Sequence, residues 1–232
     1  PYAYAFVVGG CNPQDPTYTG YLYNILIAAR VLRKRGSQAD IVASIQIAYK
    51  SADEKLPEAH ANMLQKLDVQ IRYIAKSATE SFYEAQLEKF RILDMVEYRR
   101  VLFLDADVLP VGNMDYLFEL SDGDNPILRE NLVIAGPFEP ANGGIFMLKP
   151  GAGEFEELNS IVRKREIRDT HLEGRKFDVV AGWGHPIKSP DYWQTTKISP
   201  RTNWTFNAAQ ADQGLLYHWV KYVKKSVSLV RS

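Results

Sequence analysis

Cysteine is nearly absent: Cys11 stands alone, so no internal disulfide can staple the fold. A reducing compartment suits that, and so does a lumenal enzyme without disulfides. Cys11 itself is expected to be a small buried hydrophobe. Long apolar runs are missing too, and nothing approaches the ~20 residues of a bilayer-spanning helix. The chain begins at Pro1 rather than Met, which is compatible with a preceding signal or anchor. The compartment, cytoplasm or Golgi lumen, is left open, and the Asn203-Trp-Thr sequon does not decide it. Charge of one sign is not in excess. The 28 basic and 28 acidic residues give a formal net charge of +0, with no Lys/Arg block, so nucleic acid is not an expected partner. Repeats and low-complexity tracts are absent as well.

What remains is an ordinary globular composition: 232 residues, 46% hydrophobic and 24% charged, enough for one sizeable core. Tyr2 to Val8 is a β-prone run that ends at Gly9-Gly10. Leu22, Ile25, Ala29 and Leu32 have helical spacing and predict a helix over Tyr18 to Arg35. A strand is expected over Ala39 to Ala48. Ser51 with Glu54 has capping-box spacing, which predicts a helix from there to Leu67. Further expectations are a strand at Val69 to Ile74, a helix at Phe82 to Tyr98 and a short strand at Val101 to Leu104. Strands at Leu132 to Ala135 and Gly143 to Lys149 follow, then loops over 166 to 208 and a last helix over Ala208 to Lys224.

This alternation is the signature of an α/β fold, Rossmann-like, with a central mostly parallel sheet and helices on both faces. Ligands of such sheets bind beyond the carboxyl ends of the strands. The strand Val101 to Leu104 runs there into Asp105-Ala106-Asp107. In extended chain, residues two apart point the same way. Both carboxylates can then reach one hard cation, and substrate phosphates can complete its shell. Such a cation would neutralise charge on a departing diphosphate. A second acidic pair, Asp122-Gly123-Asp124, follows no strand and is expected to be a solvated turn.

Several blocks carry a family resemblance. Lys89-Phe90-Arg91, the Arg100 to Asp107 run and Met114-Asp115-Tyr116-Leu117-Phe118 come first. Asn142-Gly143-Gly144 through Pro150 and Ala211-Asp212-Gln213-Gly214 follow in order. Together they resemble the glycogenin-like family 8 retaining glycosyltransferases of GT-A type. The resemblance implies one glycosyltransferase domain over 1–232, with a nucleotide-binding half at 1–107 and a sugar/acceptor half at 108–232. It implies a UDP-sugar donor, glucose or galactose foremost, and Mn²⁺, or alternatively Mg²⁺, on Asp105 and Asp107. The acceptor is left open among glycan, protein, lipid and polyol, and there is room for a homodimer.

The resemblance also assigns residues. Val8 and Tyr18 would hold the uracil and ribose, with Asp105 and Ala106 close to the ribose. Lys89 would contact donor phosphate or sugar, with Arg91 in support. Asn142 and Gly143 would lie at the sugar. Asp212 and Gln213 would face the reacting carbon, one of them steadying its positive charge or acting as nucleophile. An acid at a helix start is also favourable on dipole grounds alone. The family's C-terminal His-x-x-Gly-x-x-Lys-Pro-Trp segment, source of a third metal ligand, has no counterpart through Ser232, and truncation is the expected reason. Two alternatives stand beside this: an inactive domain that binds sugar nucleotides, and a phosphatase of haloacid dehalogenase type with Asp105 as nucleophile. Trp183, Trp193 and Trp204, with His185, are candidate acceptor contacts. His60, His171 and His218 are expected to be surface or packing residues.

Overall fold

The first strand, β1 (Tyr2–Cys11), is buried on both faces, as an interior strand of a parallel sheet must be. Ala3 and Ala5 point into one apolar layer, Tyr4, Phe6 and Val8 into the other. In a computed structural model of the chain, residues 1–76, 86–122, 126–135, 141–166 and 212–231 are described. Around β1 they build a seven-stranded sheet from β2 (Asp40–Ile47), β3 (Val69–Ile74), β4 (Arg100–Leu104), β5 (Asn131–Ala135), β6 (Ile145–Leu148) and β7 (Val227–Arg231). The order is β3-β2-β1-β4-β6-β5-β7. β1 runs parallel to β2 and β4, β2 to β3, and β5 to β7, while β6 is antiparallel to both of its neighbours.

Helices cover both faces, as expected for the GT-A type. One layer holds α1 (Thr19–Lys34), α2 (Glu58–Gln65) and α3 (Tyr116–Asp122) through Leu22, Ile25, Leu32, Leu64 and Phe118. The other holds α4 (Glu154–Glu166), α5 (Asp212–His218) and a 3-10 turn at Glu88–Asp94, through Leu158, Leu215 and Phe90. Fully burying one such Leu or Phe side chain is worth about 1.5–3 kcal/mol, so the two layers dominate the stability.

Several expected elements change. No helix starts at Ser51. Its hydroxyl instead accepts from the Asp53 amide at 3.1 Å, and Glu54 pairs with Lys76 at 2.9 Å. The helix waits until after Pro57, because a proline disfavours helical geometry in the residue before it. The expected helix over 82–98 is, from Glu88 to Asp94, a 3-10 helix. Its i, i+3 pairs Lys89/Ile92 and Phe90/Leu93 line up, and all four are buried. Residues 82–85 lie outside the described set. The last helix is α5 followed by a π-helical turn, Trp219–Val223, and its expected start at Ala208 is also outside the described residues. α3, α4 and β7 were not expected. Asp122 is not in a solvated turn. It ends α3, pairs with Arg99 at 2.6 Å and Arg100 at 3.2 Å, and accepts from the Tyr2 hydroxyl at 3.1 Å. Asp124 lies outside the described residues.

Candidate active site

The antiparallel sense of β6 builds the site. A parallel neighbour would bring its end to the carboxyl edge of β4, whereas β6 brings its beginning. Leu104 faces Ile145, and the Asp105 amide donates to the Gly144 carbonyl at 2.8 Å. Asn142 and Gly143 therefore sit beside Asp105. Asn142 shapes its own turn, its side-chain oxygen accepting from the Gly144 amide at 2.8 Å.

Lys89 enters from the 3-10 turn and is only 4% exposed. Its ammonium donates to Asp212 Oδ2 at 2.7 Å, the Gly143 carbonyl at 3.0 Å and Asp105 Oδ1 at 3.2 Å. These three acceptors engage its three N–H groups. The ring of Phe103 lies beneath it, 5.3 Å away at the centroid. Asp212 is buried at the first position of α5, where its carboxylate meets the Lys89 ammonium. Gly143 is pressed against this residue. A Cβ there would lie 2.1 Å from Asp212 Oδ2 and 3.1 Å from Gln213 Cγ, so glycine is needed for the close approach.

The acidic pair is arranged differently from the extended-chain expectation. β4 ends at Leu104, and the Val108 amide donates to the Asp105 carbonyl at 2.8 Å, closing a turn. Asp105 is half-buried, Ala106 buried and Asp107 exposed. Burial raises the pKa of Asp105; the Lys89 ammonium opposes this, and the Asp212 and Asp107 carboxylates add to the rise. Two carboxylates, Asp105 and Asp212, thus share one ammonium, and the exposed Asp107 stands close enough to act on Asp105 through its charge. Two hard carboxylates and a surplus of negative charge fit Mn²⁺ or Mg²⁺ in donor chemistry. Among the described residues no group of three His, Cys, Asp or Glu side chains is arranged to hold a metal, so further ligands would have to be phosphate, water or other chain segments.

Of the remaining candidates, Arg91 is not in this cluster. It pairs with Glu88 and, at 4.0 Å, with Asp94, and its guanidinium lies 4.6 Å over the Phe155 ring. Tyr18 is 4% exposed and packs in the α1 layer, its hydroxyl 2.7 Å from His60 Nδ1. Val8 is likewise buried, at the carboxyl end of β1 before the bulge at Gly10. Trp183, His185, Trp193, Trp204 and His171 lie outside the described residues. From the sequence, Phe103 has no assigned role, and Gly144 enters only as part of the Asn142-Gly143-Gly144 block. Period-two alternation in β4 was the available signal for Phe103, since it puts that ring on the side of Asp105.

A mostly parallel sheet with acids, lysine and glycine gathered at its carboxyl edge is a fold of GT-A type. Residues 21–130 match the family model described as Glycosyl transferase family 8. The chain is similar to UDP-glucuronate:xylan alpha-glucuronosyltransferase 1 of Arabidopsis thaliana, 28% identical over 164 residues covering 64% of this chain and 24% of the relative. It is also similar to galactinol synthase 7 of Arabidopsis thaliana, 27% identical over 111 residues, 44% of this chain and 31% of that one. The chain thus spans under a third of the length of either relative. Among solved structures, the glycosyltransferase GlyE of Streptococcus pneumoniae TIGR4 is similar at 17% identity and TM-score 0.49, over 98% of this chain and 44% of that one. The family match to the stretch that holds Asp105 overturns the haloacid-dehalogenase alternative.

Proposed function

We propose that the chain transfers a hexose or hexuronic acid from a UDP-sugar to an acceptor hydroxyl, with Mn²⁺ dependence and retention at the anomeric carbon. The observation that carries this is the Lys89–Asp105–Asp212–Gly143 cluster at the carboxyl edge of β4. Asp105 and Asp107 would hold the cation, whose chemistry is to neutralise charge on the departing diphosphate. Lys89 fixes Asp105 and Asp212 relative to each other. Asp212, buried against Gly143, steadies positive charge on the sugar carbon, with Gln213 next to it. The bond from that carbon to the diphosphate oxygen breaks, the bond to the acceptor oxygen forms on the same face, and the acceptor proton passes to the departing diphosphate. The names of two relatives, a glucuronosyltransferase and a galactinol synthase, put glucuronic acid beside galactose and glucose as donor sugars to try.

A panel of UDP-sugars screened for Mn²⁺-dependent UDP release tests this. One donor should turn over, and Asp107→Asn should lower that rate by about 100-fold or more without loss of the fold. Release by that variant at the wild-type rate removes the metal role from the pair. A second reading, a domain that binds sugar nucleotides without turnover, draws on the missing third ligand among the described residues. Saturable UDP–Mn²⁺ binding with no release from any donor would favour it.

A further inference from the structure

Phe103 lies two residues before Asp105, and its ring stacks on Phe146 with centroids 4.9 Å apart. Phe146 in turn stacks on Phe90 at 5.8 Å. All three rings are buried. They come from β4, β6 and the 3-10 turn, the same three elements that bring Asp105, the turn at Gly143 and Lys89 together. Phe90 follows Lys89 in the chain, so the stack runs from the neighbour of that lysine to the ring its ammonium faces.

The Lys89 ammonium sits over the face of Phe103, 5.3 Å from its centroid and inside the ~6 Å reach of a cation–π contact. Its three N–H groups are already taken by Asp105, Gly143 and Asp212. Those bonds set where the charge must be, but a lysine stem is flexible and a buried ammonium has given up its hydration. The negative face of the ring offsets part of that loss at one place only. An aliphatic side chain of similar size would fill the space and offer the cation nothing.

We propose that Phe103 is a positioning residue: its ring, backed by Phe146 and Phe90, holds the Lys89 ammonium in place and so sets the spacing of Asp105 and Asp212. The contact is tested by a double-mutant cycle in urea. Phe103→Leu should lower the folding equilibrium constant about tenfold more in the presence of Lys89 than in Lys89→Met. An equal loss in both backgrounds overturns the proposal, because the ring is then packing alone. Ring-fluorinated phenylalanine in place of Phe103 keeps the shape and drains the face of negative charge, which covers the case of a leucine variant that fails to fold. Stability should fall on fluorination with Lys89 present and hold in Lys89→Met, and unchanged stability with Lys89 present overturns the proposal. The consequence for turnover rests on the transferase reading. There, kcat for UDP release should drop about tenfold in Phe103→Leu with KM for the donor within about twofold of wild type, since alignment rather than binding is lost. A raised KM at unchanged kcat overturns the positioning role. Absence of UDP release by wild type from every donor counts against the transferase reading alone, while the urea cycle still decides the contact.

Discussion

Lys89 shows how much one side chain can hold. Removing a single partner from a buried ion pair leaves an uncompensated charge, so Lys89→Met should lower stability by about 3 kcal/mol in urea denaturation. Adding Asp212→Asn should return part of that loss, because the stranded carboxylate is gone. A double variant no more stable than Lys89→Met would mean that the pair is not coupled. Cys11 gives a pH prediction. Burial pushes its thiol up to about 12, so the folded state favours the protonated form. That contribution is fully present below the ordinary thiol range and is lost as pH climbs toward the raised value. A thiol reagent at pH 8 should leave the native chain unmodified and label one cysteine per chain in denaturant. Labelling of the native chain at the denatured rate would contradict the burial.

Among the elements, α3 is tied down through one acid just before it. Asp115 accepts from the Tyr4 hydroxyl at 2.7 Å, Ser37 Oγ at 2.8 Å and the Gln38 amide at 2.9 Å. These bonds join β1, the loop after α1 and the start of α3. Asp115→Ala should cost about 3 kcal/mol, largely because the Tyr4 hydroxyl is left without an acceptor, and should shift the urea midpoint with an unchanged slope. A midpoint within error of wild type would show that water replaces the carboxylate. The sequence marked β4 and its acidic exit clearly, since an apolar run ending in two acids has few other uses. Local pattern failed where a longer-range contact decided the outcome. Pro57 overrode the capping spacing at Ser51 and Glu54. Asp122 looked solvated because Arg99 and Arg100, its partners, lie more than twenty residues earlier. Lys89 and Asp212 are 123 positions apart, and only family resemblance linked them before the structure did.

On the scale of the molecule, the sheet is shared by two apolar layers, because alternate residues of β1 belong to each. Neither layer can dissolve while the other keeps its strands. Unfolding followed by far-ultraviolet and tryptophan signals should therefore give one superimposable transition, and separated midpoints would show that the layers melt independently. The antiparallel entry of β6 has a further consequence. Sliding that strand by two positions would keep every side chain on its proper face and satisfy the apolar pattern equally well. It would also carry Asn142 and Gly143 about 7 Å from Asp105. Hydrophobicity alone is therefore blind to this error, and the Asp105–Gly144 backbone bond is what tells the aligned pairing from its offset twin. The strand pair works as a vernier, and the edge at Asp105 is the mark against which it is read.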